Sequence, residues 1–500
     1  MMLRNILSNW GALLITGVLS LILTPVLIHS LGHFYFGVWA LVGSVVGQYG
    51  ILELGMRTGL FRFAARFRGA QDRDALSQIF VSALTIAIAT GVILVVLTAI
   101  LVIALPAFFH LEGAERATFC VVMLLLGLGT AIAFPARMTG TYLSSQQRFD
   151  LYSLGECSTS VLRTLLILLL LSSGFAIIGI SAVCLASSIA LLMVYILLLH
   201  RADPDLQVGR RYFQWPRVRE LASFSAYAFT ASLGDYLRFS TDDVVISRML
   251  TVSLVTPFSV AGRIAWYIQS LIVALGAPIN ARLNELDGQG KLEEMRQLFM
   301  RGTRATALLS GAAGALLWLH GKDVIRLWVG DMPAAYPVLS VLLIGYVADL
   351  AQHPTLLVML SRSRQRELAA LTLIEGAMNL ALSIYWARHW GLLGVALGTA
   401  APMVVFRMFV QPWRALRALE LGAGRYFREA LLRPAILGAV FGLLCWLLRQ
   451  PLARPSLPAL TFAVGWQLLA FAVLAYFLVL PPEDRELVKN KARCWAWSAA

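Results

Sequence analysis

The sequence predicts an all-α polytopic membrane protein of about 14 transmembrane helices, with two parallel six-helix lobes around a central cavity and two further C-terminal helices. Three observations predict the helical membrane class, and the lobes and cavity follow from the polar stripes, internal echo and resemblance given below. First, 59% of the 500 residues are hydrophobic and only 14% are charged, with a mean hydropathy of +0.75. So few charges could not cover the surface of a soluble chain of this length. Second, the apolar residues come in blocks of roughly 20, the length a helix needs to cross hydrocarbon, and no ten-residue alternation of a membrane barrel occurs. Third, the basic residues sit in short clusters between those blocks, which is how a polytopic membrane protein sets its topology.

The spans follow in order. Span 1 (about 6–28) comes after Arg4, in the order of a signal peptide, but its apolar run is too long and no small-residue cleavage site follows, so a retained first helix is expected. It places Asn9, Thr16 and Ser20 on one face. Span 2 (34–58) carries the spacings Gly43-x-x-x-Gly47 and Gly55-x-x-x-Gly59, which permit close helix approach, together with Gln48, Glu53 and Arg57. Arg62 to Arg73 continue it as a basic stretch suited to anionic headgroups; plain topology anchoring is the simpler reading of that stretch. Spans 3 (78–105) and 4 (117–142) follow, with Arg137 beside Pro135 on the latter. Span 5 (151–172) shows Glu156, Ser160 and Arg163 at i, i+4 and i+7, on one helix face. Span 6 (175–200) closes the N-lobe, 1–200, and residues 201–220 form a cytoplasmic linker.

The C-lobe, 221–413, opens with span 7 (221–247), which contains DYLRFSTDDVV. On a regular helix Asp235, Arg238 and Asp242 fall within an arc of roughly 60°, with Asp243 to one side. Such a stripe cannot face lipid. Span 8 (256–281) has Arg263, then Trp266, Tyr267 and Ser270; span 9 is 301–320. Span 10 (335–360) carries Asp349, which has no evident local partner, and Gln352 and His353 before the kink-forming Pro354. Span 11 (367–387) has Glu375, Asn379 and Ser383, and span 12 (391–412) the glycines 391, 394 and 398. A second linker (414–429), spans 13 (430–449) and 14 (458–480) and a tail (481–500) complete the chain.

Charge bias orients this plan. Of the 41 Lys and Arg residues, 29 fall at the even-numbered connections, the span ends beside them and the two termini, and 7 on the opposite side. Both termini are therefore expected in the cytoplasm. The remaining five, Arg57, Arg137, Arg163, Arg238 and Arg263, lie inside spans. Ionised groups at that depth are costly and usually face a partner or a wet cavity. Single pairs such as Glu53–Arg57 or Glu156–Arg163 could be structural clamps; polar stripes on spans from both halves together imply a hydrated chamber.

The formal charge of +14 forms no single patch, so no nucleic-acid partner is expected. The five cysteines are scattered without metal-ligand or disulfide spacing. No metal, cofactor, nucleotide-cradling loop or hydrolase signature is expected, and no connection exceeds about 25 residues, too little for a soluble catalytic domain. The chain therefore reads as a transporter and not an enzyme.

VLIHSLGHFYFGVWAL from Val26 and VISRMLTVSLVTPFSVAGRI from Val245 are a faint internal echo, each running through a short external turn into the next span. LGHFYFGVWALVGSVVGQYGILELGMRTGLFRFAA (Leu31–Ala65) resembles polysaccharide-biosynthesis flippases of the multidrug, oligosaccharidyl-lipid and polysaccharide exporter superfamily, and Asp235–Ile264 is similar to the opening of their second half. The resemblance implies a two-lobed flippase of the bacterial inner membrane that turns over an undecaprenyl-diphosphate-linked oligosaccharide by alternating access. By position it assigns Arg57, Arg137, Arg163, Arg238 and Arg263 to the substrate anion. Glu53, Asp235, Asp242, Asp349 and Glu375 become ion-coupling or charge-partner candidates. The partners expected are the lipid-linked oligosaccharide and membrane lipids, with a polysaccharide polymerase or chain-length machinery also open. Three aspartates to one arginine in span 7 keep a cation-coupled drug antiporter open; a peptidoglycan-precursor flippase and, with less support, a membrane glycan polymerase or ligase are further alternatives.

Overall fold

Hydrocarbon offers no partner to backbone N–H and C=O groups, so apolar blocks of this length close their hydrogen bonds internally as helix. A computed structural model describes residues 2–53, 56–172, 177–221, 233–234, 236–238, 240–447, 456–479 and 485, with backbone only at 2–16, 172, 275 and 277. No β-strand occurs among them. Helix α1 (Met2–Gly47) leads into a 3-10 segment (Gln48–Glu53), then α2 (Met56–Gly69), α3 (Arg73–Phe108), α4 (Gly113–Ser145), α5 (Phe149–Ser172) and α6 (Ile177–Ala202). After the linker come α7 (Asp242–Met249), α8 (Val255–Gly288), α9 (Leu292–Val329), α10 (Ala335–Ala351), α11 (His353–Ser361) and α12 (Gln365–Val405). A π-helical turn (Phe406–Val410) joins α12 to α13 (Gln411–Ala418); α14 (Ala423–Tyr426) passes through a second π-helical segment (Phe427–Leu432) into α15 (Arg433–Leu447), and α16 (Leu457–Leu478) follows.

Eight helical runs are long and apolar enough to cross a membrane, or ten if each of two bent pairs is one broken span. Two of the eight are themselves divided. The helix α1 turns at Gly32 (φ +74°) and α12 at Gly391 (φ +54°), where the expected spans 1 and 2, and 11 and 12, meet. Nothing lies within 4 Å of where a Cβ would stand at either glycine, so the left-handed backbone, and not lack of room, is what favours glycine there. Among the described residues, the expected spans other than the seventh fall on helix, span 10 being broken at Gln352. The seventh lies largely outside the described residues, as does Asp235. The bent pairs lie near prolines: α10 meets α11 at 40° across Gln352, just before Pro354, and α8 bends by 41° before Pro278. A proline has no N–H for the i−4 carbonyl, which frees the ladder to kink.

The chain divides into two compact units. The first comprises residues 1–256, 372–380 and 387–392. Within it α4 packs on α2, α3 and α6, and α5 packs on α1 and α6. Small residues set the spacing: a Cβ at Gly91 of α3 would stand 2.9 Å from the Ala131 carbonyl of α4. The second unit comprises residues 257–371, 381–386 and 393–500. Its core holds Phe299 stacked on Tyr426 (centroids 5.1 Å apart, planes 6° apart) among Leu283, Leu286, Met295 and Leu419. A satellite cluster of Leu316, Phe441 and Phe471 fastens α15 and α16 to α9. The last two expected spans are thus packed parts of this unit.

Candidate functional site

Span 2 does not end as a plain α-helix. It tightens to 3-10 geometry at Gln48, and Glu53 closes that segment just before α2. Arg57 Nε stands 3.6 Å from Glu53 Oε1 and donates to Thr141 Oγ1 of α4 at 3.2 Å. Thr141 in turn donates to the Arg137 carbonyl one turn earlier (2.8 Å). The Arg57 and Arg137 guanidiniums both act electrostatically on the Glu53 carboxylate. Two cations therefore act on one anion. The Arg57 side chain stays 40% exposed against 17% for Glu53. Beside this cluster Tyr195 of α6, fully buried, donates to Glu156 Oε1 at 3.1 Å. Its ring fits between α4 and α5 because both helices offer glycine: a Cβ at Gly140 would stand 2.9 Å from it, and one at Gly155 closer still. Arg163, two turns beyond Glu156, is exposed.

The same unit holds a second, sealed group. Arg238 Nε lies 3.1 Å from Glu375 Oε1, with side chains 3% and 2% exposed, and Asn379 Nδ2 donates to the Arg238 carbonyl at 3.2 Å. This pair ties the end of span 7 to span 11. The helix does not run on from Arg238 to Asp242 as the arc reading assumes. A turn at Ser240–Thr241 interrupts it, and Asp242 and Asp243 fall in the first turn of α7. Carboxylates there are stabilised by the positive end of the helix dipole, which gives them a structural role the period arithmetic does not show. Asp242 is buried, and Asp243 accepts a hydrogen bond from Ser44 of α1.

The third group belongs to the other unit and gathers at the α10–α11 break. Asp349 Oδ1 meets Arg407 Nε at 2.8 Å, and Gln269 Nε2 of α8 donates to Asp349 Oδ2 at 3.3 Å. Arg407 sits on the π-helical turn and also donates to Gln411, whose amide donates to Thr355. Thr355 Oγ1 donates to the Gln352 carbonyl (2.6 Å), and the Gln352 side chain accepts from Tyr426. The network thus supplies partners where the broken helix loses its regular ladder. Asp349 remains 16% exposed and Arg407 7%. Arg263, half-buried on α8, has partners of its own.

The structure therefore brings together Glu53, Arg57 and Arg137, pairs Arg238 with Glu375, and gives Asp349 a partner that local spacing does not suggest. By its position near the end of expected span 12, Arg407 belongs with the 29 topology-setting basic residues, yet it is buried. Tyr195 and Arg407 lie on helices remote in sequence from the groups they meet. The one available signal was an arginine preceding Gln411 in an otherwise apolar run. Among the described residues, no cluster of three or more His, Cys, Asp or Glu could hold a metal ion.

Long apolar helices that hold buried ion pairs in two separate units are those of a multi-pass membrane protein. The profile of the family described as polysaccharide biosynthesis proteins matches residues 31–332, and the chain belongs to that family. It is 23% identical over 511 aligned positions to the uncharacterized membrane protein EpsK of Bacillus subtilis (strain 168), covering 98% of this chain and 97% of that one. It is 23% identical over 408 positions to the probable flippase AglR of Haloferax volcanii, covering 79% of this chain and 80% of that one. Among solved structures, the lipid II flippase MurJ in an inward closed conformation superposes with a TM-score of 0.73 at 11% identity, covering 94% of this chain and 99% of that one. An inward-facing multidrug resistance MATE family transporter of the MOP superfamily gives 0.65 at 17% identity, covering 83% and 95%. The fold is that of this superfamily's transporters.

Proposed function

We propose that this chain is a flippase that carries an undecaprenyl-diphosphate-linked oligosaccharide from the cytoplasmic to the outer leaflet of a bacterial inner membrane, by ion-coupled alternating access. The observation that carries this reading is the partly exposed Arg57 held by Glu53 and Thr141, with Arg137 acting on the same carboxylate. A diphosphate leaving water must find donors to replace its hydration, and charge-assisted bonds from arginine do this best. Arg57 is held in place by Glu53 and Thr141 yet keeps its side chain partly exposed.

A second feature suits the lipid half of such a substrate. An apolar cavity of about 720 Å³ in the second unit is lined by Gly311, Gly314, Gly438 and Gly442, between Trp318 and Trp446. Small residues leave a smooth hydrophobic surface that an isoprenoid chain can follow. For coupling, Asp349 is the better candidate because Glu375 is almost wholly enclosed with Arg238. Uptake of a proton or cation at Asp349 would weaken its hold on Arg407 and so loosen the α10–α11 break.

The cation-antiporter alternative needs carboxylates free to meet a positive drug, and here Glu375 and Asp349 face arginines. Reconstituted protein decides between the readings. Proteoliposomes should turn over a fluorescent polyprenyl-diphosphate glycan, and Arg57→Ala and Glu53→Gln should each slow it. Wild-type rates in both variants, or export of cationic dyes instead, would remove the proposal's support; preference for a peptidoglycan precursor over other lipid-linked glycans would redirect it to that substrate.

A further inference from the structure

We infer that the arginine-rich end of the first unit carries a separate binding site for a phosphate-bearing lipid headgroup. A cavity of about 560 Å³ opens there between the ends of α2, α3, α4 and α6. Three arginines from three different elements line it: Arg68 in the last turn of α2, Arg73 at the start of α3, and Arg148 in the α4–α5 turn. The turns themselves bring them together, since Gln71 (φ +56°) and Gln147 (φ +61°) take left-handed backbone and fold both connections sharply.

The lining also includes Asp72 and Asp203, of which Asp203 is engaged at both carboxylate oxygens and Asp72 at one. Asp203 accepts from Arg73 at one oxygen (2.8 Å) and from the Tyr142 hydroxyl at the other (2.7 Å). Asp72 caps α3 by accepting from the Ala75 N–H (2.9 Å). Arg148 is held by Asp150. Two donors remain on the wall. Arg68 is exposed and pairs with no carboxylate among the described residues, and the Gln146 Nε2 is enclosed without a hydrogen-bond partner. An acceptor such as a phosphate oxygen suits donors of this kind, whereas another cation or an apolar group suits neither. The lipid source is favoured by position: Phe67 lines the cavity, exposed Phe61 lies on the same helix, and basic pockets between helix ends on the charge-rich side are suited to anionic headgroups. This site is distinct from the Arg57 cluster and does not depend on the transport reading.

The test uses the full chain in nanodiscs of phosphatidylcholine with or without phosphatidylglycerol, and native mass spectrometry to count retained lipid. Phosphatidylglycerol should be retained by the wild type, about tenfold less well by Arg68→Gln, and at wild-type level by Arg66→Gln, an exposed arginine of the same helix outside the lining. Gln146→Leu should weaken retention by a smaller factor and serves as the second variant if Arg68→Gln fails to fold. Equal loss in Arg66→Gln and Arg68→Gln would mean diffuse surface attraction and overturn the site, as would wild-type retention in both Arg68→Gln and Gln146→Leu. Uptake of inorganic phosphate in pure phosphatidylcholine discs, dependent on Arg68 and unaffected by phosphatidylglycerol, would overturn the lipid assignment in favour of a soluble anion.

Discussion

Arg407 and Asp349 show how much a single buried charge depends on a partner elsewhere in the chain. At 7% and 16% exposure neither is well solvated, so each needs the other. Removing one leaves an uncompensated charge, and Asp349→Ala or Arg407→Met should each cost roughly 3–5 kcal/mol. The double variant should lose less than the two singles together, read as melting temperatures in detergent; strict additivity would mean the pair does not interact. Arg57 belongs to the other kind of site, exposed enough to act on a ligand. Arg57→Lys keeps the charge but gives up the planar fork, so transport should fall while the melting temperature holds. An equal fall in both would make Arg57 structural. At this scale the sequence marks which charges lie at membrane depth but not which are available: Arg57 and Arg238 look alike in the chain, and only packing leaves one 40% exposed and the other 3%.

Helical elements are set by block length, and their interruptions by a few particular residues. Gly32 and Gly391 turn the chain between consecutive spans with a positive φ, and a side chain there adds a conformational penalty of about 1–2 kcal/mol even with open space around it. Gly391→Ala should therefore lower the melting temperature, whereas the same change at Gly43, within regular α1 and with open space around it, should not lower it. Equal effects at both sites would show that the left-handed turn is not what glycine serves at 391. Hydropathy made the positions of these elements legible, because it measures what each block can bury. It could not show the 3-10 segment before Glu53, the turn before Asp242 or the π-helical turn at Arg407, because those depend on which hydrogen bonds neighbouring helices supply.

For the whole molecule, the bias of basic residues predicts orientation. In a cysteine-free background, a cysteine replacing His110, at the exposed α3–α4 turn, should react with a membrane-impermeant maleimide added to intact cells. A cysteine replacing Gly69, at the arginine-rich α2–α3 turn, should react only after permeabilisation. The opposite pattern would invert the topology and, with it, the proposed direction of transport.

By itself, the sequence determined the membrane location, the helical class and the placement of most spans, because the hydrophobic effect and the cost of unsatisfied backbone act on each block separately. The family was also legible, in the glycine and charge pattern of residues 31–65. Only the tertiary structure decided which charges neutralise one another. That is a matter of distance between helices far apart in the chain, where a few ångströms separate a sealed pair such as Arg238–Glu375 from a partly exposed side chain such as Arg57.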